Sequence, residues 1–312
     1  MVTGQHPHET ITTLSPWCGP PFTGQAGAPT LAEAHRYCRR LAREHYENFP
    51  VFLSLFAPDQ QKALAAVYAF ARTADDFADE ATFDPIAEEA LASWRRALHS
   101  CVSGHADHPV FVALQWALKR YPIAPEHLEA LMDAFVQDRV KQRYRDWDDL
   151  HGYCSRSANP VGRIVLAVLG AATPENERYS DAICTALQLT NFWQDISIDR
   201  CKGRIYLPLD LLARHGVTEA AILEGHIVPG VAAAITEACD HTAALFREGK
   251  ALIRSVPMPG TIYLALVYLG GTTVLRMARR TGARLLHRRP TLSLWSYLQS
   301  LIPTTTNRDI SA

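Results

Sequence analysis

The sequence predicts an all-α fold, and three observations support this prediction. Apolar residues recur every three or four positions along most of the chain, which is the pattern of amphipathic helices. Several of these stretches begin at a proline, such as Pro58, Pro109 and Pro125, and proline is favoured in the first turn of a helix. No stretch alternates apolar and polar residues as a half-buried strand does.

The composition is that of an ordinary globular protein. The chain has 312 residues, of which 48% are hydrophobic and 20% charged, with a net charge of −1. The near-neutral charge argues against nucleic-acid binding. The seven cysteines show no paired spacing, so we expect free thiols in a reducing compartment. Since we find no secretory signal and no apolar run of about 18 residues, we expect a cytoplasmic protein.

The chain divides into three predicted parts. Residues 1–30, rich in Gly, Pro, Thr and His, are expected to form a flexible segment; 31–282 form one helical domain; and 283–312 form a basic, amphipathic tail. Thr30 followed by Glu33 predicts a capping box at the first helix. The predicted helices are 31–44, 59–79, 86–100, 109–120, 126–143, 148–170 with a break at Asn159-Pro160, 180–199, a short helix ending near 216, 218–223, 231–255 and 260–282.

The helix at 180–199 carries a polar stripe. Gln188, Asn191, Asp195 and Asp199 are spaced three, four and four residues apart, so their side chains share one face. The other faces are apolar, so we expect this helix to be mostly buried. Carboxylates buried close together need a compensating charge. Mg²⁺ suits this role because it takes carboxylate and carbonyl oxygens and shares its coordination with substrate phosphates.

A second acidic pair, Asp75 and Asp79, lies at the end of the helix at 59–79 and is likewise expected to be buried. One such pair alone is usually a solvated helix face. Two pairs, each set in apolar sequence and each beside cations, favour a different interpretation: the two helices face each other across a cavity and hold a metal-bound diphosphate. The neighbouring cations are Arg72 for the first pair and Lys202 and Arg204 for the second.

Three further patterns each leave two alternatives open. Basic residues 139–145 are either a helix end that the helix dipole favours or contacts to diphosphate. Small residues around Asn159-Pro160 either make room for a bulky apolar ligand or allow close helix packing. The arginines of 279–289, followed by apolar and aromatic residues to 302, predict either peripheral contact with the inner face of the membrane or a helix that packs on the domain.

Together, these motifs resemble those of the squalene/phytoene synthase family of head-to-head isoprenoid synthases. The resemblance covers about residues 32–282 and rests on the joint spacing of the two acidic motifs and on residues 203–208, Gly-Arg-Ile-Tyr-Leu-Pro. It implies the class I isoprenoid synthase fold, a single helical domain with a central cavity, and a prenyl diphosphate substrate.

The resemblance also implies roles for individual residues. The first acidic motif is Asp75 and Asp79, and the second is Asn191, Asp195 and Asp199; together they are expected to bind two or three Mg²⁺ ions. Gln188 matches a polar residue of the site. Diphosphate and cavity contacts are expected from His45, Tyr68, Arg72, Arg204 and Tyr206, with Tyr68 and Arg72 among the catalytic residues. The prenyl tunnel is expected to be lined by Phe49, Tyr153, Ala158, Val161 and Gly162. For Tyr68 and Tyr153, a purely structural role in the core is an equal alternative.

Two departures from the family pattern bear on the reaction. Gln194 stands where the family usually has arginine, and Thr73 where it often has a cation. Fewer cations favour a substrate with one diphosphate. With several local strings, such as His-Tyr-Glu-Asn-Phe-Pro at 45–50, this resembles the hydroxysqualene synthase branch of bacterial hopanoid biosynthesis. That branch converts presqualene diphosphate to hydroxysqualene, and a separate flavoprotein reduces the product.

Two other functions compete with this one. Within the same fold, the chain could condense two farnesyl diphosphates to presqualene diphosphate or squalene, or two geranylgeranyl diphosphates to phytoene. A non-catalytic binding protein is disfavoured because both acidic motifs are intact. No nicotinamide cofactor is expected, since no glycine fingerprint of a dinucleotide-binding domain is present.

Overall fold

The computed structural model describes residues 29–44, 55–79 and 81–291. The sequence predictions for residues 1–28, for His45 and Phe49, and for the tail beyond residue 291 lie outside the described residues and stay predictions.

In the described part of the chain the regular secondary structure is helical, with one isolated bridge between Arg143 and Ile205, and the predicted all-α class is confirmed. The thirteen α-helices found there are α1 (Leu31–Glu44), α2 (Pro58–Asp79), α3 (Ala87–Val102), α4 (Pro109–Arg120), α5 (Pro125–Asp138), α6 (Trp147–Ser157), α7 (Asn159–Leu169), α8 (Pro174–Asp199), α9 (Leu209–Arg214), α10 (Glu219–Glu224), α11 (Pro229–Gly249), α12 (Leu252–Ser255) and α13 (Gly260–Thr281).

The helices fall into two compact units that divide after Arg139. The first contains α1–α5 and the second α6–α13, and each is described by itself. The predicted domain limits at residues 30 and 282 stay predictions.

In the first unit, α2 is the central helix and packs against α1, α3, α4 and α5. Its inner side meets an aromatic core in which the Trp94 ring lies 6.1 Å from Phe70 and 4.5 Å from Phe111. The Trp94 indole N–H donates to the Phe70 carbonyl at 3.2 Å. The predicted capping box of α1 is confirmed by a 2.7 Å bond from the Thr30 hydroxyl to Glu33 and a 3.3 Å bond from the Glu33 N–H to Thr30. The end of α2 is therefore held on a rigid core.

In the second unit, α8 is the central helix and packs against α6, α7, α11 and α13. It begins at Pro174 rather than near Ser180, because the Thr173 hydroxyl accepts from the Asn176 N–H and caps an earlier start. The indole N–H of Trp193, buried on α8, donates to the Thr242 hydroxyl on α11 at 2.8 Å. These contacts fix the rotation of α8 about its axis.

Contacts between tryptophan and histidine rings hold helix α6 on α11. Trp147 stacks on His241 with centroids 3.8 Å apart, and the Nε2 atoms of His151 and His241 lie 3.0 Å apart. Burial lowers the pKa of His241 to about 4, with the neighbouring His151 adding to the effect. His241 is therefore neutral at pH 7.

Besides the earlier start of α8, two predicted helices, 126–143 and 231–255, differ clearly from the observed ones. The stretch 126–143 is shorter, since α5 ends at Asp138. The stretch 231–255 is two helices, α11 and α12. The break predicted in 148–170 is confirmed, since α6 ends at Ser157 and α7 begins at Asn159 with Pro160 in its first turn.

The basic residues of 139–145 thus lie at and beyond the end of α5, with Arg139 as its C-cap residue, and are not its last helical turn. They follow α5 and form ion pairs. Within the first unit, Arg139 pairs with Asp84 at 2.7 Å. Within the second, Arg143 pairs with Glu219 at 2.7 Å, and Lys141 pairs with Asp149.

Helix α13, together with the turn after it, has the length and composition of a membrane span, which the sequence analysis did not single out. The segment Gly260–Leu286 has a mean hydropathy of 1.3 and is one-third buried. Because α13 packs against α8 and α11, and the core helix of a globular protein meets the same criteria, this is weak support for a span.

Close approach of α11 to α8 generates a prediction at Gly249. A Cβ at this position would lie 2.5 Å from the Ile183 side chain and 2.7 Å from the Tyr179 carbonyl. Overpacking of this kind typically costs about 1–3 kcal/mol. We expect Gly249→Ala to lower the midpoint of thermal unfolding by several degrees.

The matched control is Gly152→Ala on α6, where a Cβ would meet no atom within 4 Å. There the higher helix propensity of alanine, up to about 1 kcal/mol, should raise the midpoint. A rise of the same size in both variants would contradict the packing described here.

Candidate active site

The first acidic motif lies on a polar stripe of α2. From residue 63 onwards most side chains of this helix are buried, and the accessible ones fall along one line. The accessible side chains are Tyr68, Ala71, Arg72, Thr73, Asp75 and Asp79. The structure therefore brings Tyr68, Arg72, Asp75 and Asp79 to the same face, as their spacing predicts.

Arg72 links this stripe to a carboxylate that the sequence analysis did not select. Its guanidinium forms an ion pair at 2.6 Å with Asp76, which is 1% exposed, and donates at 3.4 Å to Asp75, which is 43% exposed. Asp79 is exposed. The predicted burial of this pair is therefore wrong: Asp76 is the buried carboxylate, and it orients Arg72, whereas Asp75 and Asp79 are open to solvent and ligands.

The second acidic motif forms a similar stripe on α8. Asn191 is exposed, and Gln188, Asp195 and Asp199 are half-buried, while Leu189, Phe192, Trp193 and Ile196 on the other faces are buried. The predicted stripe is confirmed as one face of a largely buried helix. Its carboxylates are more accessible than predicted.

A cation already faces one of these carboxylates. The guanidinium of Arg289 contacts both oxygens of Asp195, at 2.5 and 3.3 Å. The neighbouring Gln194 donates its amide to the Pro290 carbonyl at 2.7 Å. The sequence could not indicate these contacts, because about 95 residues separate the partners along the chain.

The segment after α8 is held beside residues 142–145. Gly203 adopts a φ of +74°, a left-handed conformation that glycine adopts without strain, and so ends the helix. The Ile205 N–H then donates to the Gln142 carbonyl at 3.0 Å, and the Leu209 N–H to the Tyr144 carbonyl at 2.9 Å. These bonds position Tyr206, which lies between them in the chain, and Arg204, which directly precedes Ile205.

Arg204 and Tyr206 line a small pocket with Asp199 and Phe192. The Tyr206 ring stacks on Phe192 with centroids 3.7 Å apart and planes 6° apart. The structure thus brings Asp199, Arg204 and Tyr206 together, as predicted, and adds Phe192. The string Asn-Phe-Trp-Gln-Asp contains Phe192, but its stacking partner lies beyond α8 and could not be inferred.

Tyr153 belongs to the core of the second unit. It is 4% exposed, and its ring lies 5.6 Å from Tyr144 and 6.0 Å from Phe192. Of the two alternatives left open for Tyr153, the structure supports a core aromatic residue. Tyr68, in contrast, is half-buried on the α2 stripe.

The small residues around Asn159-Pro160 serve helix packing. A Cβ on Gly162 would clash with the Ser180 hydroxyl and lie 2.5 Å from the Cys184 sulfur, both on α8. Ala158 is 9% exposed, and Val161 is half-buried. The close-packing alternative is therefore supported at Gly162, and Val161 is the most accessible of the three predicted tunnel residues.

The donor chemistry of the second motif suits a hard divalent cation. Asn191, Asp195 and Asp199 offer an amide carbonyl and two carboxylates from one helix face, and the guanidinium on Asp195 shows that this face attracts positive charge. Among the residues that the structure describes, no three His, Cys, Asp or Glu side chains converge on one point. Mg²⁺ commonly completes its coordination with water and substrate phosphates.

Known proteins of one family are similar to this chain. The chain matches the squalene/phytoene synthase family over residues 42–296. It is 34% identical to the hydroxysqualene synthase of Rhodopseudomonas palustris over 212 residues, 67% of this chain and 71% of that protein. It is 31% identical to the phytoene synthase of Thermus thermophilus over 256 residues, 82% of this chain and 87% of that protein.

A solved structure is also similar. The squalene synthase HpnC from Alicyclobacillus acidocaldarius superimposes with a TM-score of 0.76 and 40% identity, covering 81% of this chain and 95% of that one. For chloroplastic phytoene synthases of Oryza sativa and Zea mays, the matched region is 51% and 50% of their length.

The division of roles between Asp75 and Asp76 can be tested by stability. Asp76→Asn removes the charge of a buried partner of Arg72, which should lower the free energy of unfolding by about 2–4 kcal/mol. Asp75→Asn removes the charge of a half-exposed carboxylate and should change the free energy of unfolding by no more than about 0.5 kcal/mol. Urea unfolding followed by circular dichroism measures both, and equal losses in the two variants would refute the assignment.

Proposed function

Because the chain belongs to the squalene/phytoene synthase family, we propose that it converts presqualene diphosphate to hydroxysqualene and inorganic diphosphate. The observation that carries the proposal is the stripe of Asn191, Asp195 and Asp199, which stays accessible on an otherwise buried helix. The C–O bond to the diphosphate breaks, and the diphosphate leaves with the electron pair. The carbocation rearranges, water forms the new C–O bond, and a proton passes to solvent.

In this proposal the chain's own residues bind and orient the diphosphate. Asn191, Asp195 and Asp199, together with Asp75 and Asp79, hold two or three Mg²⁺ ions. Bound Mg²⁺ would neutralise charge that develops on the departing diphosphate.

Two cations have supporting positions in this scheme. Arg72 is held by Asp76 on the α2 stripe, and Arg204 lines the pocket beside Asp199. Each is a donor for the phosphate oxygens. The apolar ring face of Phe192 and Tyr206 next to Asp199 limits the access of water until the carbocation has rearranged.

The preference for a single diphosphate now rests on the relatives. The sequence argument was that Gln194 leaves the second motif one cation short. Arg289 supplies a cation to Asp195 from another part of the chain, so that argument loses its force. What favours the hydroxysqualene reaction is the 34% identical hydroxysqualene synthase.

Head-to-head condensation is the second candidate. The match to a phytoene synthase over 82% of this chain favours it. In that case two farnesyl or two geranylgeranyl diphosphates would be the substrates, and both acidic motifs would keep the same roles.

The location and partners of the enzyme are part of the proposal. We place it in the cytoplasm, with the tail from residue 283 in contact with the inner face of the membrane, since the product is an apolar hydrocarbon alcohol. A separate flavoprotein reductase then consumes the hydroxysqualene.

The direct test is product analysis with each substrate separately. Purified protein with Mg²⁺ and presqualene diphosphate should give hydroxysqualene and diphosphate in equal amounts. In ¹⁸O-labelled water, the label should appear in the alcohol. Asp195→Asn should lower kcat at least about a hundredfold, because it removes charge stabilisation at the leaving group.

Asp240→Asn is the matched control, since it removes a half-exposed carboxylate of α11 that pairs with Arg279. It should leave kcat unchanged. Product from farnesyl or geranylgeranyl diphosphate alone would reject the hydroxysqualene reaction in favour of condensation. Undiminished turnover of every prenyl diphosphate by Asp75→Asn/Asp195→Asn would reject the catalytic role of both motifs.

A further inference from the structure

Residues 287–291 follow the last turn of the second unit and lie along the C-terminal half of α8; we call them the strap. Leu286, just before the strap, is fully buried, and its carbonyl accepts a 2.6 Å bond from the Arg200 guanidinium. Within the strap, Pro290 is buried although its neighbours are exposed, and its carbonyl accepts the Gln194 amide at 2.7 Å. The strap is thus anchored on both sides of Arg289.

Between these anchors, Arg289 reaches the second acidic motif. Its Nε and Nη2 atoms lie 2.5 and 3.3 Å from the two oxygens of Asp195, which is a bidentate contact. The Arg289 side chain is 38% exposed and that of Asp195 is 27% exposed. An ion pair this accessible is weak enough for another cation to replace it.

Arg289 and a divalent cation compete for the same atoms. A guanidinium that engages both carboxylate oxygens occupies the lone pairs that face it, and its positive charge repels a metal ion at the same carboxylate. If Asp195 holds Mg²⁺, as the proposed function requires, the side chain of Arg289 must first turn away. The backbone of the strap can stay in place, because its anchors at Leu286 and Pro290 do not involve Asp195.

We propose that Arg289 is a displaceable counter-ion of the second acidic motif. When a divalent cation replaces Arg289 at Asp195, Gln194 is the positioning residue that keeps the strap on α8. This inference rests on the metal-binding role of Asp195 in the proposed function. It also assigns a role to Gln194. The resemblance leads one to expect arginine at this position, and here an uncharged amide instead holds the segment that carries Arg289.

The competition can be measured without turnover. Mn²⁺ is titrated into the protein, and electron paramagnetic resonance measures the concentration of the free ion. Each full-length protein carries Asp75→Asn and Asp79→Asn, so that the first motif does not contribute. In this background we expect Arg289→Gln to bind Mn²⁺ about fivefold more tightly, which is the strength of an accessible ion pair expressed as an affinity ratio.

Arg288→Gln is the matched control, because it removes the same charge from the adjacent, exposed residue of the strap. It should change the affinity by less than about twofold, the range expected for a screened surface charge. Asp195→Asn, the third variant, should weaken Mn²⁺ binding at least about tenfold if this carboxylate is a ligand.

The outcomes separate the two proposals. If Asp195→Asn weakens binding but Arg289→Gln leaves it unchanged, or tightens it no more than Arg288→Gln does, the counter-ion proposal is overturned and the metal role of Asp195 stands. If Asp195→Asn has no effect, the metal role fails, and the counter-ion proposal fails with it.

Hydrogen exchange tests the role of Gln194. With saturating Mn²⁺, the amides of the strap should exchange at least about threefold faster in Gln194→Ala than in the parent protein, because both side-chain contacts to α8 are then lost. Equal exchange in the two proteins would overturn the positioning role.

Discussion

The arrangement of the second unit depends on one constraint: α8 must be buried on most of its circumference and yet leave one line of oxygen donors accessible. Packing meets the first condition, since Trp193 bonds to Thr242 on α11 and Gly249 lets that helix approach closely. The three-, four- and four-residue spacing of Gln188, Asn191, Asp195 and Asp199 meets the second. Rotation of α8 by one residue would turn the carboxylates into the core, where unpaired charge is costly.

In the first unit, α2 likewise keeps two carboxylates accessible on a mostly buried helix, but through a different contact. Asp76, adjacent to the predicted motif, is the buried carboxylate and fixes Arg72 at 2.6 Å, so that Asp75 and Asp79 stay accessible. In the second unit the charge of Asp195 is likewise balanced by a neighbouring cation, Arg289. Each motif therefore has an arginine in contact with one of its carboxylates, and this explains how carboxylates four residues apart are tolerated on one helix face.

Local patterns in the sequence were enough for the helices and for the faces of α2 and α8, because both follow from a period of 3.6 residues. These local patterns did not predict features that depend on contacts between residues far apart in the chain. The basic stretch after Asp138 was taken for helix because its partners, Asp84 and Glu219, lie far away in the chain. The resemblance places Gly162 and Tyr153 along a tunnel, which stays a prediction, and the structure adds that α8 packs against Gly162 and Tyr144 against Tyr153. The contact of Arg289 with Asp195 could not be predicted either, since periodicity says nothing about which loop covers a helix.

The central proposal is that the acidic motif of α2 and that of α8 each bind divalent metal ions together with diphosphate. Iron-mediated cleavage tests it most directly: Fe²⁺ replaces Mg²⁺ in the presence of inorganic diphosphate, and ascorbate with hydrogen peroxide generates radicals at the bound ion. The account predicts backbone cuts confined to residues near 75–79 and 191–199, suppressed by excess Mg²⁺. Cuts elsewhere, with both of these stretches left intact, would contradict it.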